Sequence, residues 1–125
     1  MSPDSRFALI AGALLAASGV ALGAFGAHGL KALLSPEALG WWQTAVQYQM
    51  WLAIGLVAIG AAPALRSRGP AWMLVSGTAI FSGSLYAMAL SEARWLGAVT
   101  PVGGLLMIGG WAWLAWRVAK SPTLP

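Results

Sequence analysis

Four long apolar stretches, separated by three short polar interruptions, account for most of the chain. The first is uncharged from Phe7 to Ala27. At about 1.5 Å per residue, a helix of that length crosses a hydrocarbon core roughly 30 Å thick. The others run over residues 45–62, 71–90 and 96–116 and are built mostly of Ala, Leu, Gly, Ile, Val and Met. This pattern predicts an all-α fold, an integral membrane four-helix bundle with residues 1–125 forming a single transmembrane domain.

The interruptions carry helix punctuation. Ser35-Pro36-Glu37 combines an N-cap serine, a first-turn proline and an acid beside the positive end of the helix dipole. It predicts a short interfacial helix that leads into the second span, with Trp41 and Trp42 as headgroup anchors. Pro63, Gly69 and Pro70 flank Arg66 and Arg68 and predict a tight turn.

Within the spans, small residues recur every three or four positions. The first carries Gly12, Ala16, Gly19, Gly23 and Ala27, and the third carries Ala79, Gly83, Ala87 and Ser91. The fourth has Gly103-Gly104 and Gly109-Gly110. Lipid tails are as apolar as leucine, so helices associate by close packing and hydrogen bonds, and Gly19, Gly23, Gly83, Gly103 and Gly104 become the expected packing positions. Ser82 and Ser84 are expected to bond carbonyls one turn back. Gln43 and Gln47 share a helix face, Tyr48 lies about 100° round, and Gln49 is nearly opposite Gln47. At least one of these faces must meet protein or water.

Only 8% of the residues are charged and 59% are hydrophobic, with a mean hydropathy of +0.75. That is too little charge to wet a globular surface. The formal charge of +4 forms no basic patch, so nucleic acid is not an expected partner. The basic residues report orientation instead. Four spans put both termini on one side, together with Arg6, Arg66, Arg68, Arg117 and Lys120, against Lys31 and Arg94 on the other. Positive-inside bias then predicts both termini in the cytoplasm. Trp41, Trp42 and Trp95 fall at outer span ends and Trp72, Trp113 and Trp116 at inner ends, as two interfacial belts should. Trp51 lies deeper. The first run exceeds the roughly 7–15 residues of a signal-peptide core and is expected to be retained.

Candidate chemistry is sparse. With no cysteine, one histidine and three acids, the chain offers no catalytic constellation, no metal site and no cofactor motif. What polarity there is gathers at the predicted outer half. "GAFGAHGLK" at 23–31 ends the first span, and "ALSEAR" follows the third. His28, Lys31, Gln47, Tyr48, Glu92 and Thr100 form a candidate outer-rim cluster. Pro101 is expected to free a carbonyl one turn back, with Thr100 helping to satisfy it. A plainer account makes Gly26 and Gly29 a packing and left-handed exit signal, His28 and Lys31 partners of the last carbonyls, and Glu92 a partner of Lys31.

"GAFGAHGLK", "TAVQYQM", "FSGSLY" and "TPVGGLLMIGGW", in that order, resemble the domain-of-unknown-function 423 family. Its members are small four-helix membrane proteins of bacteria, with a eukaryotic relative called transmembrane protein 256. The resemblance covers roughly residues 8–116. The chain's length and the absence of a presequence favour a bacterial plasma (inner) membrane over a mitochondrial one. The family pattern YQxxHA has a histidine where this chain has Leu52, which weakens any paired-histidine metal or proton-relay role here. The family brings no established activity. The expected function is that of a non-catalytic accessory or interaction subunit, joined to other membrane subunits or to itself. The alternative is a small transporter, channel or lipid-binding protein whose polar cleft takes an anionic headgroup.

Overall fold

The computed structural model describes residues 1–122 and is all-helical. Its four long helices are α1 (Pro3–His28), α2 (Pro36–Gly60), α3 (Arg68–Ser91) and α4 (Thr100–Lys120). Short 3-10 turns at Pro63–Leu65 and Arg94–Ala98 precede α3 and α4.

Local chemistry sets the helix starts. Ser2 Oγ accepts from the Ser5 N–H and Ser35 Oγ from the Ala38 N–H, each at 3.1 Å, with Pro3 and Pro36 at N1. Ser2-Pro3-Asp4 thus repeats the Ser35-Pro36-Glu37 signature, and α1 begins four residues before its apolar run. From Pro36, α2 continues unbroken to Gly60, so the segment carrying Trp41 and Trp42 is its first turns and not a separate helix. Pro101 is the second residue of α4, where an N–H has no intrahelical acceptor. The expected freed carbonyl therefore does not arise. Residues 96–98, expected in the fourth span, belong to the preceding 3-10 turn.

The helices pack in sequence order: α1 on α2, α2 on α3, α3 on α4. Nine residues of α2 and ten of α3 are buried, against five of α1 and three of α4. The bundle is therefore open, with a central α2–α3 pair and α1 and α4 as flanks. The start of α1, the end of α4 and the 61–67 turn share one end, where Phe7 stacks on Trp72 at 4.5 Å and Asp4 lies 3.7 Å from Arg68. The 29–35 and 92–99 connections occupy the far end.

Two seams bring backbones close. On α1, Gly12, Gly19 and Gly26 recur every seventh residue and all face α2. A methyl group on them would lie 2.8 Å from the Ala53 carbonyl oxygen, 2.5 Å from Met50 Sδ and 2.5 Å from Trp42 Cδ1 respectively. Gly23 also faces α2, with Val46 3.2 Å from such a methyl. On the α3–α4 seam Gly77 meets Gly103, and a methyl on Gly77 would lie 2.8 Å from the Gly103 carbonyl oxygen. Gly104 makes only ordinary contact with Phe81, and Gly83, expected to pack, faces open space. Gly77 takes that role on α3, because it lies on the face turned toward α4.

Large apolar side chains cover the outside. Ile10, Leu14, Val20 and Phe25 on α1, and Leu105, Ile108 and Trp116 on α4, are each more than half exposed. A belt of this size is incompatible with water and matches a lipid-facing surface. Among the described residues, α1, α3 and α4 (with its preceding turn) are long and apolar enough to cross a membrane, while α2, with its glutamines, is more polar.

Candidate functional site

The first half of α2 carries polar residues on two faces, and the fold treats them differently. Gln49 is 4% exposed and fully engaged. Its Nε2 donates to the Leu15 carbonyl at 2.9 Å and to Ser18 Oγ at 2.8 Å, while its Oε1 accepts from the Tyr86 hydroxyl at 2.7 Å. The carbonyl partner is acceptor-only, which fixes which end of the amide faces α1. One side chain thereby ties three helices together. Beside it, Trp42 donates from Nε1 to the Leu22 carbonyl at 2.9 Å and packs edge-on against Tyr86 at 4.6 Å. At 3% exposure Trp42 is a core residue, not the interfacial anchor that its neighbour Trp41 resembles in sequence.

The serines also reach across seams. Ser82 donates to the Ala45 carbonyl of α2 at 2.7 Å. Ser84 Oγ lies 2.6 Å from Thr100 Oγ1 of α4, while also donating to the Phe81 carbonyl at 3.0 Å. The expected bond to a carbonyl one turn back is made by Ser84, to Phe81, but not by Ser82; Thr78 makes one as well, to the Leu74 carbonyl at 2.7 Å. Every buried side-chain nitrogen and oxygen among the described residues has a partner.

Gln43 and Gln47 lie on the other face of α2 and are exposed. With Thr44, Trp42, Gly40 and, from α1, Gly23, Gly26 and Ala27, they line a hollow of about 560 Å³ on the α1–α2 flank. Counting back from Gly60, Gln47 lies about 20 Å along α2, within the reach of a 30 Å hydrocarbon core. Neither amide has a hydrogen-bond partner among the described residues. Here an outward-facing surface is both polar and concave.

The six residues of the predicted rim do not form one cluster. His28 ends α1 and Lys31 follows in the connection, both exposed. Gln47 lines the α1–α2 hollow. Tyr48 turns the other way, against Trp51 at 5.0 Å and Phe81 at 4.5 Å, and lines a separate apolar hollow of about 330 Å³ with Leu52, Met107 and Trp111. Thr100 is tied to Ser84 inside the α3–α4 seam. Glu92 is exposed and caps α3 in a left-handed conformation, φ 57°.

The expected Lys31–Glu92 pair is absent among the described residues, and the ion pair at this end joins Arg94 to Glu37, with the Arg94 guanidinium 5.4 Å over the Trp41 ring. The glycines of "GAFGAHGLK" pack and do not turn left-handed: Gly29 has φ −74° and no glycine among the described residues has positive φ. Gly26 leaves room for the Trp42 indole, and Leu30, 4% exposed, plugs the cluster beneath. Among the described residues no three of His, Asp and Glu come together as metal ligands would.

Four helices, a continuous apolar belt and polar groups satisfied across helix seams define a small polytopic integral membrane protein. The chain belongs to the family described as protein of unknown function, DUF423, which matches residues 22–104. It is 47% identical over 109 residues to a UPF0382 membrane protein of Staphylococcus haemolyticus, spanning 85% of this chain and 89% of that one. A UPF0382 membrane protein of Staphylococcus saprophyticus is 46% identical over 109 residues, 85% of this chain and 91% of its own. The UPF0382 inner membrane protein YgdD of Escherichia coli K12 is 43% identical over 114 residues, 86% of each chain. No solved structure matches. The family read from four short motifs is thus the right one, and the location is a bacterial inner membrane.

Proposed function

We propose that this chain is a non-catalytic membrane subunit that holds a transmembrane helix of a partner, another subunit or a second copy, in the α1–α2 hollow. In the proposed orientation both termini are cytoplasmic and the hollow opens in the outer half of the bilayer. The observation that carries this reading is the pair of exposed amides, Gln43 and Gln47, set in a 560 Å³ hollow edged by Gly23, Gly26 and Gly40. An amide facing acyl chains has no partner, whereas one meeting a polar side chain on a neighbouring helix contributes about 1–2 kcal/mol in model systems. A methyl group on Gly40 would meet nothing within 4 Å, so a neighbour's backbone has room to approach there.

Because the chain has no cysteine, a single introduced one is a clean reporter. Gln47→Cys and Gln43→Cys should cross-link in native membranes to one defined species, while Gly83→Cys, on an open face of α3 beside Ser82, should not. Equal yields from all three positions would sink the proposal. A second reading rests on the residues just beyond Ala27, a lining residue: His28 and Lys31 are exposed and basic, and suit an anionic headgroup. A lipid in the hollow predicts that the thiol of the Gln47→Cys variant is shielded from maleimides without any protein cross-link.

A further inference from the structure

The terminal end of the molecule holds a second concave surface, built from arginines. The Pro63–Leu65 turn ends on Arg66, which sits in the left-handed region at φ 47°. L side chains rarely adopt that conformation. Arg66 and Leu65 share a hollow of about 110 Å³ with Arg117, Val118 and Ser121 from the last turn of α4.

Charge accounting makes this hollow unusual. The chain has three acidic residues. Asp4 is taken by Arg68 and Glu37 by Arg94, and Glu92 caps α3 at the opposite end of the molecule. Two arginines therefore line one small space, with no carboxylate paired to either among the described residues. The surroundings fix the depth. Trp113 and Trp116 lie on the same stretch of α4, 39% and 59% exposed, and Trp72 is 53% exposed near the start of α3. Such rings sit at headgroup level. Lipid phosphates lie at that level, and planar guanidinium forks match their oxygens bidentately.

We propose that Arg66 and Arg117 together bind the phosphate of an anionic membrane phospholipid. The Ser121 hydroxyl adds a donor, and Leu65 and Val118 give an apolar wall for the glycerol end. The hollow has room for one phosphate group and not for a helix. This site lies at the opposite end from the glutamine hollow, so it stands or falls independently of the proposed docking function. With the termini in the cytoplasm it would face the inner leaflet, where basic pockets between helices take anionic headgroups.

The test uses the full chain purified in detergent with a mixture of phosphatidylglycerol and phosphatidylcholine, read by native mass spectrometry. The wild type should keep one phosphatidylglycerol in preference to phosphatidylcholine. Removing both guanidinium groups in Arg66→Gln/Arg117→Gln should weaken that preference roughly thirtyfold, at about fivefold per charge. Arg6→Gln/Arg68→Gln removes the same formal charge from the same end and should leave the preference largely intact. An unchanged preference in Arg66→Gln/Arg117→Gln, or an equal loss in the control, overturns the proposal. Excess inorganic phosphate should not displace the lipid, and displacement would assign the site to free phosphate instead.

Discussion

Replacing Gly103 by alanine puts a methyl group where there is no space. The new carbon would lie 2.6 Å from the Gly77 carbonyl oxygen and closer still to the Phe81 backbone nitrogen. Both are main-chain atoms of α3 and cannot rotate away. Carbon contacts are comfortable at about 3.5–4.0 Å, so α4 must back off by roughly 1 Å. A gap of that size forfeits a quarter to a half of each dispersion contact along the seam. Overpacking of this kind typically costs about 1–3 kcal/mol, offset in part by the roughly 1 kcal/mol that Ala gains over Gly in a helix. A net loss of up to about 2 kcal/mol follows. Gly83→Ala is the matched comparison, because its methyl would meet nothing within 4 Å. It should be neutral or stabilise by up to about 1 kcal/mol. The two variants should therefore differ by up to about 3 kcal/mol, a ratio above a hundred in the unfolding equilibrium. Reversible unfolding in mixed micelles, followed by the fluorescence of the eight tryptophans, measures both. If the two variants unfold together, the backbone contact at Gly103 is not what holds α4 on α3.

Tyr86→Phe removes the donor that meets Gln49 Oε1 and leaves a buried acceptor unmet. It should lower stability by about 0.6–1.7 kcal/mol, and the loss should shrink in a Gln49→Leu background, since the two groups act as a pair. Gly26→Ala would put a methyl 2.5 Å from Trp42 Cδ1, evict the indole and break its bond to the Leu22 carbonyl. The expected loss is about 2 kcal/mol, with a red shift in the Trp42 emission resolved against a Trp42→Phe reference.

The helices are legible because a helix that crosses a bilayer needs an apolar run as long as the bilayer is thick, a criterion that α1, α3 and α4 meet and the more polar α2 does not. The start of α2 is legible for a different reason: a serine, a proline and an acid in order satisfy free N–H groups in a way that residue type alone specifies. The same signature at Ser2-Pro3-Asp4 passes unnoticed because it lies upstream of the apolar run. Packing is half legible. Small-residue spacing marks stripes but does not say which stripe meets a neighbour, so Gly103 is found and Gly83 is mistaken for Gly77. Gly12, Gly19 and Gly26, seven residues apart, stay on one face of the helix and make its tightest approaches to α2, with Gly23 beside them. The rim fails as a cluster because adjacent residues on a helix diverge by about 100°, which sends Gln47 and Tyr48 into separate hollows. Trp41 and Trp42 are alike in sequence, and only the groove at Gly26 decides which is buried. Ion pairing is the least legible, since Glu37 lies 57 residues from its partner Arg94.

The serial packing bears on how such a chain is made. Each side-chain hydrogen bond between long helices joins neighbours in the order of synthesis: Trp42 and Gln49 to α1, Ser82 and Tyr86 to α2, and Thr100 to Ser84 of α3. Three of these bonds end on carbonyls already engaged within their own helix, using a spare lone pair. A helix leaving the ribosome thus finds its polar partners on the one just before it. Gln49, the most polar burden of the least apolar helix, meets Leu15 and Ser18 as soon as α2 folds against α1, and only its Oε1 waits for Tyr86. The chain can be inserted from first residue to last without leaving a finished helix dependent on one far downstream.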